Sequence, residues 1–388
     1  MVATDLRSKT CFMRRESVKA ETRGGTAQGA NGFQLIASDD SFGCTFQHTP
    51  GCATLSLIML PWFQDRFPLY LAPMAGVTDT VFRQLAKEYG ADVMVTEFVS
   101  AEGIFRRNAR TLEYLEFVEA ERPIGVQLFG ADPAHLGEAA RMVIDWKQPD
   151  FIDLNFGCPV NKVVSKNGGS SLLRDCPLLE KVARGVVKAV APFPVTAKIR
   201  IGWDAKSVNA TTTARLLEDA GVAAIAVHGR TKDQGYGGEA DWDVIAQVAA
   251  AVRIPVIGNG DLASARDVAR RMKCGVRGVM LGRAAMCAPW IFREIRQYLE
   301  TGEIVAPPTL AGQWAHICRH CRWVVERKGC ESQTMAAMRS RLMAYSRGMP
   351  EAKRLRELFA HVSSLAELIQ IAEENLARTV EDAPALAS

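Results

Sequence analysis

A chain of 388 residues, with 48% hydrophobic and 23% charged side chains, has the make-up of a soluble globular protein with one large domain and a smaller one. A formal net charge of only +4 excludes nucleic-acid binding argued from total charge, so any such binding needs a local basic surface. Ten cysteines without a repeating spacing speak for reduced thiols in a cytoplasmic protein rather than a disulfide framework, and no apolar run reaches the ~18 residues of a membrane span.

The first 65 or so residues differ from the rest. Residues 1–30 are rich in Lys, Arg, Gly, Thr and Ser and hold too few large apolar side chains to bury a core. The apolar piece TLSLIMLPWF (54–63) lies too far in for a secretion signal. Residues 1–65 are therefore expected to be a disordered extension, or to stand upstream of a true start at Met59. A transit peptide with Arg14, Arg15 and Lys19 is the rival reading.

From Leu69, short apolar runs alternate with segments of helical period. The predicted strands are LYLAPM (69–74), VMVTEF (93–98), IGVQLFG (124–130), FIDLNFG (151–157), VTAKIRIG (195–202), AAIAVHG (223–229), PVIGNGD (255–261) and GVMLGR (278–283). Between them lie helices such as 132–146, with Asp132 as N-cap and Pro133 in the first turn, and 242–252, opened by Asp241. Eight strand–helix units over about 235 residues match a (β/α)8 TIM barrel, typically about 250 residues. A doubly wound sheet would carry a G-x-G-x-x-G turn after its first strand, where this chain has APMAGVTD. After Pro307-Pro308 only helical patterns remain, with stops at Gly329 and Gly348-Met349-Pro350. Residues 66–303 are thus predicted to form the barrel, and 304–380 an all-helical bundle with one helix spanning EAKRLRELFAHVSSLAELIQIAEENLA.

In such a barrel the reacting groups gather where strands end. Those ends carry Pro73-Met74-Ala75-Gly76, Glu97, Gln127, Asn155 and Cys158, Lys198 and Arg200, His228 and Arg230, Asn259-Gly260-Asp261, and Gly282-Arg283. Glycines with an arginine after strands seven and eight suit a phosphate-bearing cofactor. Lys198, a charge within an apolar strand, is either the partner of an interior carboxylate or a group aimed at an anionic ring.

APMAGVTD (72–79), VQLFG (126–130), DLNFGCPVNK (153–162), KNGGSSLLRD (166–175), KIRIGWD (198–204), VHGRTKDQGY (227–236), IGNGD (257–261) and MLGRAAMCAPWIF (280–292) together resemble the tRNA-dihydrouridine synthases. The resemblance covers about four-fifths of the chain. It implies a TIM barrel that binds FMN, uses NADPH as reductant and reduces the C5–C6 double bond of chosen D-loop uridines in tRNA. By the same resemblance Pro73, Met74 and Ala75 line the flavin, Gln127 and Lys198 bond its ring, and His228 contacts the flavin or its phosphate side. Asn259, Gly260, Asp261, Gly282 and Arg283 hold the ribityl and phosphate. Cys158 donates a proton to C5 after hydride has reached C6, Asn155 and Arg200 face the uracil, and Lys162 and Lys166 belong to the covering loop. The proton task suits a thiol, because a thiol with a pKa near 8.5 is still protonated at neutral pH.

A flipped uridine needs backbone contacts that offset unstacking. Between Arg319 and Arg356 stand ten Lys or Arg against three acids. Arg339, Arg341, Arg347, Lys353, Arg354 and Arg356 are the expected tRNA contacts, with Tyr345 as a stacking surface. HICRHC (316–321) has His and Cys at metal-like spacing but lacks a second well-spaced pair, so no metal is expected. No membrane partner and a monomeric state are expected. The competing readings are a flavin barrel for a small conjugated substrate, as in dihydroorotate dehydrogenases, and an RNA-binding protein whose barrel no longer catalyses.

Overall fold

A computed structural model describes residues 60–164 and 168–381. The expected N-terminal extension therefore lies outside the described residues as far as Met59.

Eight parallel strands form the barrel: β1 (Leu69–Leu71), β2 (Met94–Val95), β3 (Ile124–Phe129), β4 (Phe151–Phe156), β5 (Val195–Arg200), β6 (Ala224–His228), β7 (Val256–Asn259) and β8 (Gly278–Leu281). They pair in the order β1–β8–β7–β6–β5–β4–β3–β2. The ring closes through one isolated bridge between Tyr70 and Val93, where the Leu71 N–H donates to the Val93 carbonyl at 3.0 Å. A short piece, Val99–Ser100, pairs with the end of β3. All eight strands are shorter than the sequence suggested, the first two markedly so. Pro73 has no N–H to offer and follows closely on the end of β1, and the chain between Val95 and Val99 leaves the ladder.

Period-two alternation sorts the strand residues. Tyr70, Val93, Val95, Phe151, Ala224, Ala226, Ile257 and Met280 form one buried cluster inside the barrel. Their neighbours on the other face, such as Leu69, Met94, Ile152, Leu154, Ile225 and Val279, pack against the helices. Helix starts follow the caps: Asp132 accepts from the His135 N–H at 2.6 Å ahead of Pro133–Lys147, and Asp241 accepts from the Asp243 and Val244 N–H groups ahead of Trp242–Ala251. Leu60, Trp62 and Phe63, the end of the apolar N-terminal piece, join the inner cluster. The Trp62 indole donates to the Tyr70 hydroxyl at 2.6 Å, and its ring lies 5.3 Å from that of Phe151.

Four helices follow: Leu310–Lys328, Glu331–Tyr345, Ala352–Phe359 and Leu365–Glu381. The single last helix expected from the sequence is two. The Ser364 hydroxyl accepts from the Glu367 N–H at 3.2 Å and the Glu367 carboxylate accepts from the Ser363 N–H at 2.7 Å, so a Ser364 N-cap with a reciprocal contact one residue upstream starts a new helix within the run. Trp314, Ile317, Met335, Leu342, Phe359 and Leu368 form their core, to which the barrel helix Thr80–Glu88 contributes Val81 and Leu85. No helix among the described residues is long and apolar enough to cross a membrane.

Candidate active site

The C-terminal strand ends surround a cavity of about 770 Å³. The parallel register stacks its lining in levels. Asn155 and Lys198 stand side by side, in register with Ala226 and Ile257 of the inner core, and Arg200, His228, Asn259 and Met280 form the next level up. Pro73, Met74 and Ala75 supply one apolar wall, and Gly260, Asp261, Gly282 and Arg283 close the rim over β7 and β8.

No side chain among the described residues gives Lys198 a hydrogen bond or ion pair. The interior carboxylate that might have claimed it, Asp153, is instead held by the Gln127 amide and the Thr196 hydroxyl, both at 2.6 Å. Burial, reinforced by the charge of Arg200, pulls the Lys198 ammonium down to about 8, although Asp153 works the other way. Burial and the same cations push His228 down to about 2, so its imidazole is neutral. Burial also raises the carboxyl of Asp153.

Cys158 is 8% exposed, and three residues hold the backbone of Gly157 and Cys158. Asn155 accepts from the Gly157 and Cys158 N–H groups at 3.1 and 2.9 Å, while its amide donates to Gln127 at 2.7 Å. Arg200 donates to the Gly157 carbonyl at 3.0 Å. The Cys158 carbonyl accepts from both the N–H and the hydroxyl of Ser170, at 3.1 and 2.9 Å. Gly169, with φ of +60°, lets that segment pass so close that a Cβ would stand 2.8 Å from the Cys158 oxygen. Burial pushes the thiol up, against the opposing pull of the Val160 N–H, Arg200 and Lys198, so Cys158 is a thiol at neutral pH.

At the other end, Asn259 donates to the Met280 carbonyl at 2.7 Å. Asp261 accepts both contacts of the Arg230 Nη2 at 2.9 and 2.7 Å, one from Arg283 at 2.8 Å and one from the Ala240 N–H at 2.7 Å. Although partial burial pushes its carboxyl up, the Ala240 N–H and Arg230 hold it below the usual range. Asp261 thus lines the cavity beside Arg283, which it orients. Among the described residues the Arg230 Nη1 is buried with no partner.

Of the basic residues assigned to RNA, Arg347, Lys353 and Arg356 are exposed, and Arg347 lines the cavity. Three others are spent within the fold. Arg341 is 8% exposed, pairs with Asp79 at 2.8 Å and donates to the Gly76 carbonyl. Arg339 donates to the Val362 and His361 carbonyls, and Arg354 pairs with Glu374 and Glu351. Tyr345 is no stacking surface: it is 2% exposed and its hydroxyl lies 3.0 Å from both His316 Nε2 and His320 Nδ1. Among the described residues no group of three or more His, Cys, Asp or Glu could hold a metal. Lys166 lies outside the described residues, as does the side chain of Lys162.

Sequence reasoning gave no role to Ser170, Arg230 or Tyr236. Arg200 and Arg230 pin the carbonyls of Thr231, Gly235, Gly237 and Gly238, on both sides of a Tyr236 ring that is 62% exposed at the cavity mouth. The glycines around Tyr236 were the available signal, since a loop of bare carbonyls needs donors from elsewhere.

A family model described as dihydrouridine synthase (Dus) matches residues 70–382. The chain is 46% identical over 242 residues to the tRNA-dihydrouridine synthase B of Xanthomonas campestris, covering 62% of this chain and 72% of that protein. It is 39% identical over 290 residues to a probable tRNA-dihydrouridine synthase of Rickettsia bellii, covering 74% and 88%. It is 40% identical over 299 residues to probable tRNA-dihydrouridine synthase 1 of Synechocystis, covering 76% and 82%.

Proposed function

The chain belongs to the dihydrouridine synthase family, and from that premise we propose that it reduces the C5–C6 double bond of chosen uridines in the tRNA D-loop, with FMN in the cavity and NADPH as reductant. The observation that carries this reading is an unpartnered, partly buried Lys198 in the same cavity as a protonated Cys158.

The residues present suit FMN. Pro73–Ala75 form an apolar wall of the cavity, and Lys198, which lines the same cavity, offers a donor to a polar ring edge, while Gln127, its amide tied to Asp153 and Asn155, fixes the level beside it. Gly260, Gly282 and Arg283 offer an anion site. When bound, FMN supplies a hydride to C6 of the uracil. The chain's own part is to hold and deliver the proton that C5 requires. Burial keeps the Cys158 thiol protonated, and Asn155, Arg200 and Ser170 fix the backbone that aims it. Lys198 places positive charge beside the ring that binds, and neutral His228 offers either a donor or an acceptor without adding charge. Asn155, its amide already engaged by Gln127, serves the base chiefly by holding Cys158. Exposed Arg347, Lys353 and Arg356 are the chain's contacts to the tRNA backbone, offsetting the cost of flipping the uridine out.

Mass-spectrometric mapping of dihydrouridine in tRNA from a deletion strain tests the reading. One or more D-loop sites should revert to uridine and be restored by this chain, while Cys158→Ala should restore them at a rate lower by about 10²–10⁴-fold. Unchanged dihydrouridine at every site in the deletion strain would refute the function. Full turnover by Cys158→Ala would refute the acid.

A further inference from the structure

Gly76 stands at the tip of the loop from β1 to the helix Thr80–Glu88, with φ of +73°. Most of this loop ties itself together. The Met74 carbonyl accepts from the Val77 and Thr78 N–H groups, both at 3.0 Å, and the Thr78 hydroxyl accepts from the Met74 N–H at 2.9 Å. Gly76 is bonded differently, for both sides of its backbone are served from elsewhere in the molecule. Its N–H donates to Glu97, just past β2, at 2.7 Å. Its carbonyl accepts from the Nε and Nη2 of Arg341 at 3.2 and 3.0 Å, and the Nη1 of the same guanidinium pairs with Asp79, the N-cap of Thr80–Glu88. Glu97 and Arg341 are 4% and 8% exposed, so both contacts are largely shielded from bulk water.

The loop is also a partition. Pro73, Met74 and Ala75 face the cavity described above, while Gly76 and Asp79 face a second cavity of about 390 Å³ between the barrel and the C-terminal helices. Nothing in the chemistry above uses Glu97 or Arg341. A planar guanidinium with two donors on one carbonyl fixes direction as well as distance, which a lysine cannot reproduce.

We propose that Glu97 and Arg341 are positioning residues for the cofactor: from opposite sides they fix the Gly76 peptide groups, and through them the Pro73–Ala75 wall, so the C-terminal helices complete the FMN site. The proposal rests on the FMN reading above. It makes Arg341 a cofactor-site residue although it lies on the helix Glu331–Tyr345, 265 residues away from the glycine it holds.

The test is titration of the apoprotein with FMN, read by flavin fluorescence and by the visible circular dichroism of the bound ring. Arg341→Lys and Glu97→Ala should each weaken FMN binding about ten-fold and alter the visible dichroism, with far-UV dichroism reporting the fold. Glu97→Gln, which keeps a carbonyl acceptor for the Gly76 N–H, should recover most of the affinity. Arg319→Lys, which disturbs the Arg319–Glu88 pair on the same interface but touches no part of the loop, should bind FMN as the unaltered protein does. Equal FMN affinity in Arg341→Lys, Glu97→Ala and the unaltered protein would overturn the proposal. So would an equal loss in Arg319→Lys, which would mean general loosening of the interface. Failure of the unaltered protein to bind FMN would instead strike the proposed function, and this proposal with it.

Discussion

Lys198 sits in a strand of apolar neighbours with a carboxylate close by, yet that carboxylate is committed to Gln127 and Thr196. Its ammonium is charged below about 8 and neutral above. An anionic ligand that depends on this charge binds at full strength below that pH and loses affinity as pH rises through it. FMN titrations between about pH 7 and 9 should therefore show weakening binding at the alkaline end, and Lys198→Met should bind more weakly and without the pH dependence. Lys198 and Cys158 were legible because their residue types conflict with their surroundings: a charge in an apolar strand, a thiol between Gly and Pro. Arg341 and Tyr345 were not. A basic or aromatic residue on a helix reads the same whether that face meets water or another part of the protein, and here it meets the barrel.

The helices Leu310–Lys328 and Glu331–Tyr345 are joined by one hydroxyl. Tyr345 serves His316 and His320 together, and His316 continues to the Tyr89 hydroxyl of the barrel at 3.2 Å. Burial keeps both imidazoles neutral, at about 4 for His316 and about 3 for His320. Tyr345→Phe keeps the ring but leaves two buried nitrogens without their partner, so urea unfolding should show a loss of about 1–3 kcal/mol with FMN and tRNA affinity unchanged. A loss of tRNA affinity instead would mean that this hydroxyl also holds the RNA-binding face of the two helices in place. Element boundaries were readable where a cap stood before a periodic run, as at Asp132 and Asp241. They were missed at Ser363–Glu367, where the apolar period continues across the break and only the S-x-x-E spacing betrayed it.

At the scale of the molecule, the barrel was legible because alternation within eight strands leaves few other ways to bury both faces. The plug of Leu60, Trp62 and Phe63 was not, since a short apolar piece before the first strand carries no period. Nor does composition say which cations stay free: once Arg339, Arg341 and Arg354 are spent inside, the basic surface is narrower than a count between Arg319 and Arg356 suggests. Replacing Arg347 or Lys353 by Ala should lower tRNA affinity and reduce the slope of log K against log salt by about one for each phosphate contact removed.

The closure of the ring has a mechanical consequence. Seven of its seams hold two to five paired residues each, and the eighth, between β1 and β2, holds one. Asp92 stitches that seam from outside, accepting from the Leu69 N–H and from Arg296. A hoop yields at its weakest joint, and this joint borders the strand that runs into Pro73–Ala75. Local opening of the barrel is thus favoured beside the Pro73–Ala75 wall, and the bond from the Gly76 N–H to Glu97 crosses the same split as a clasp.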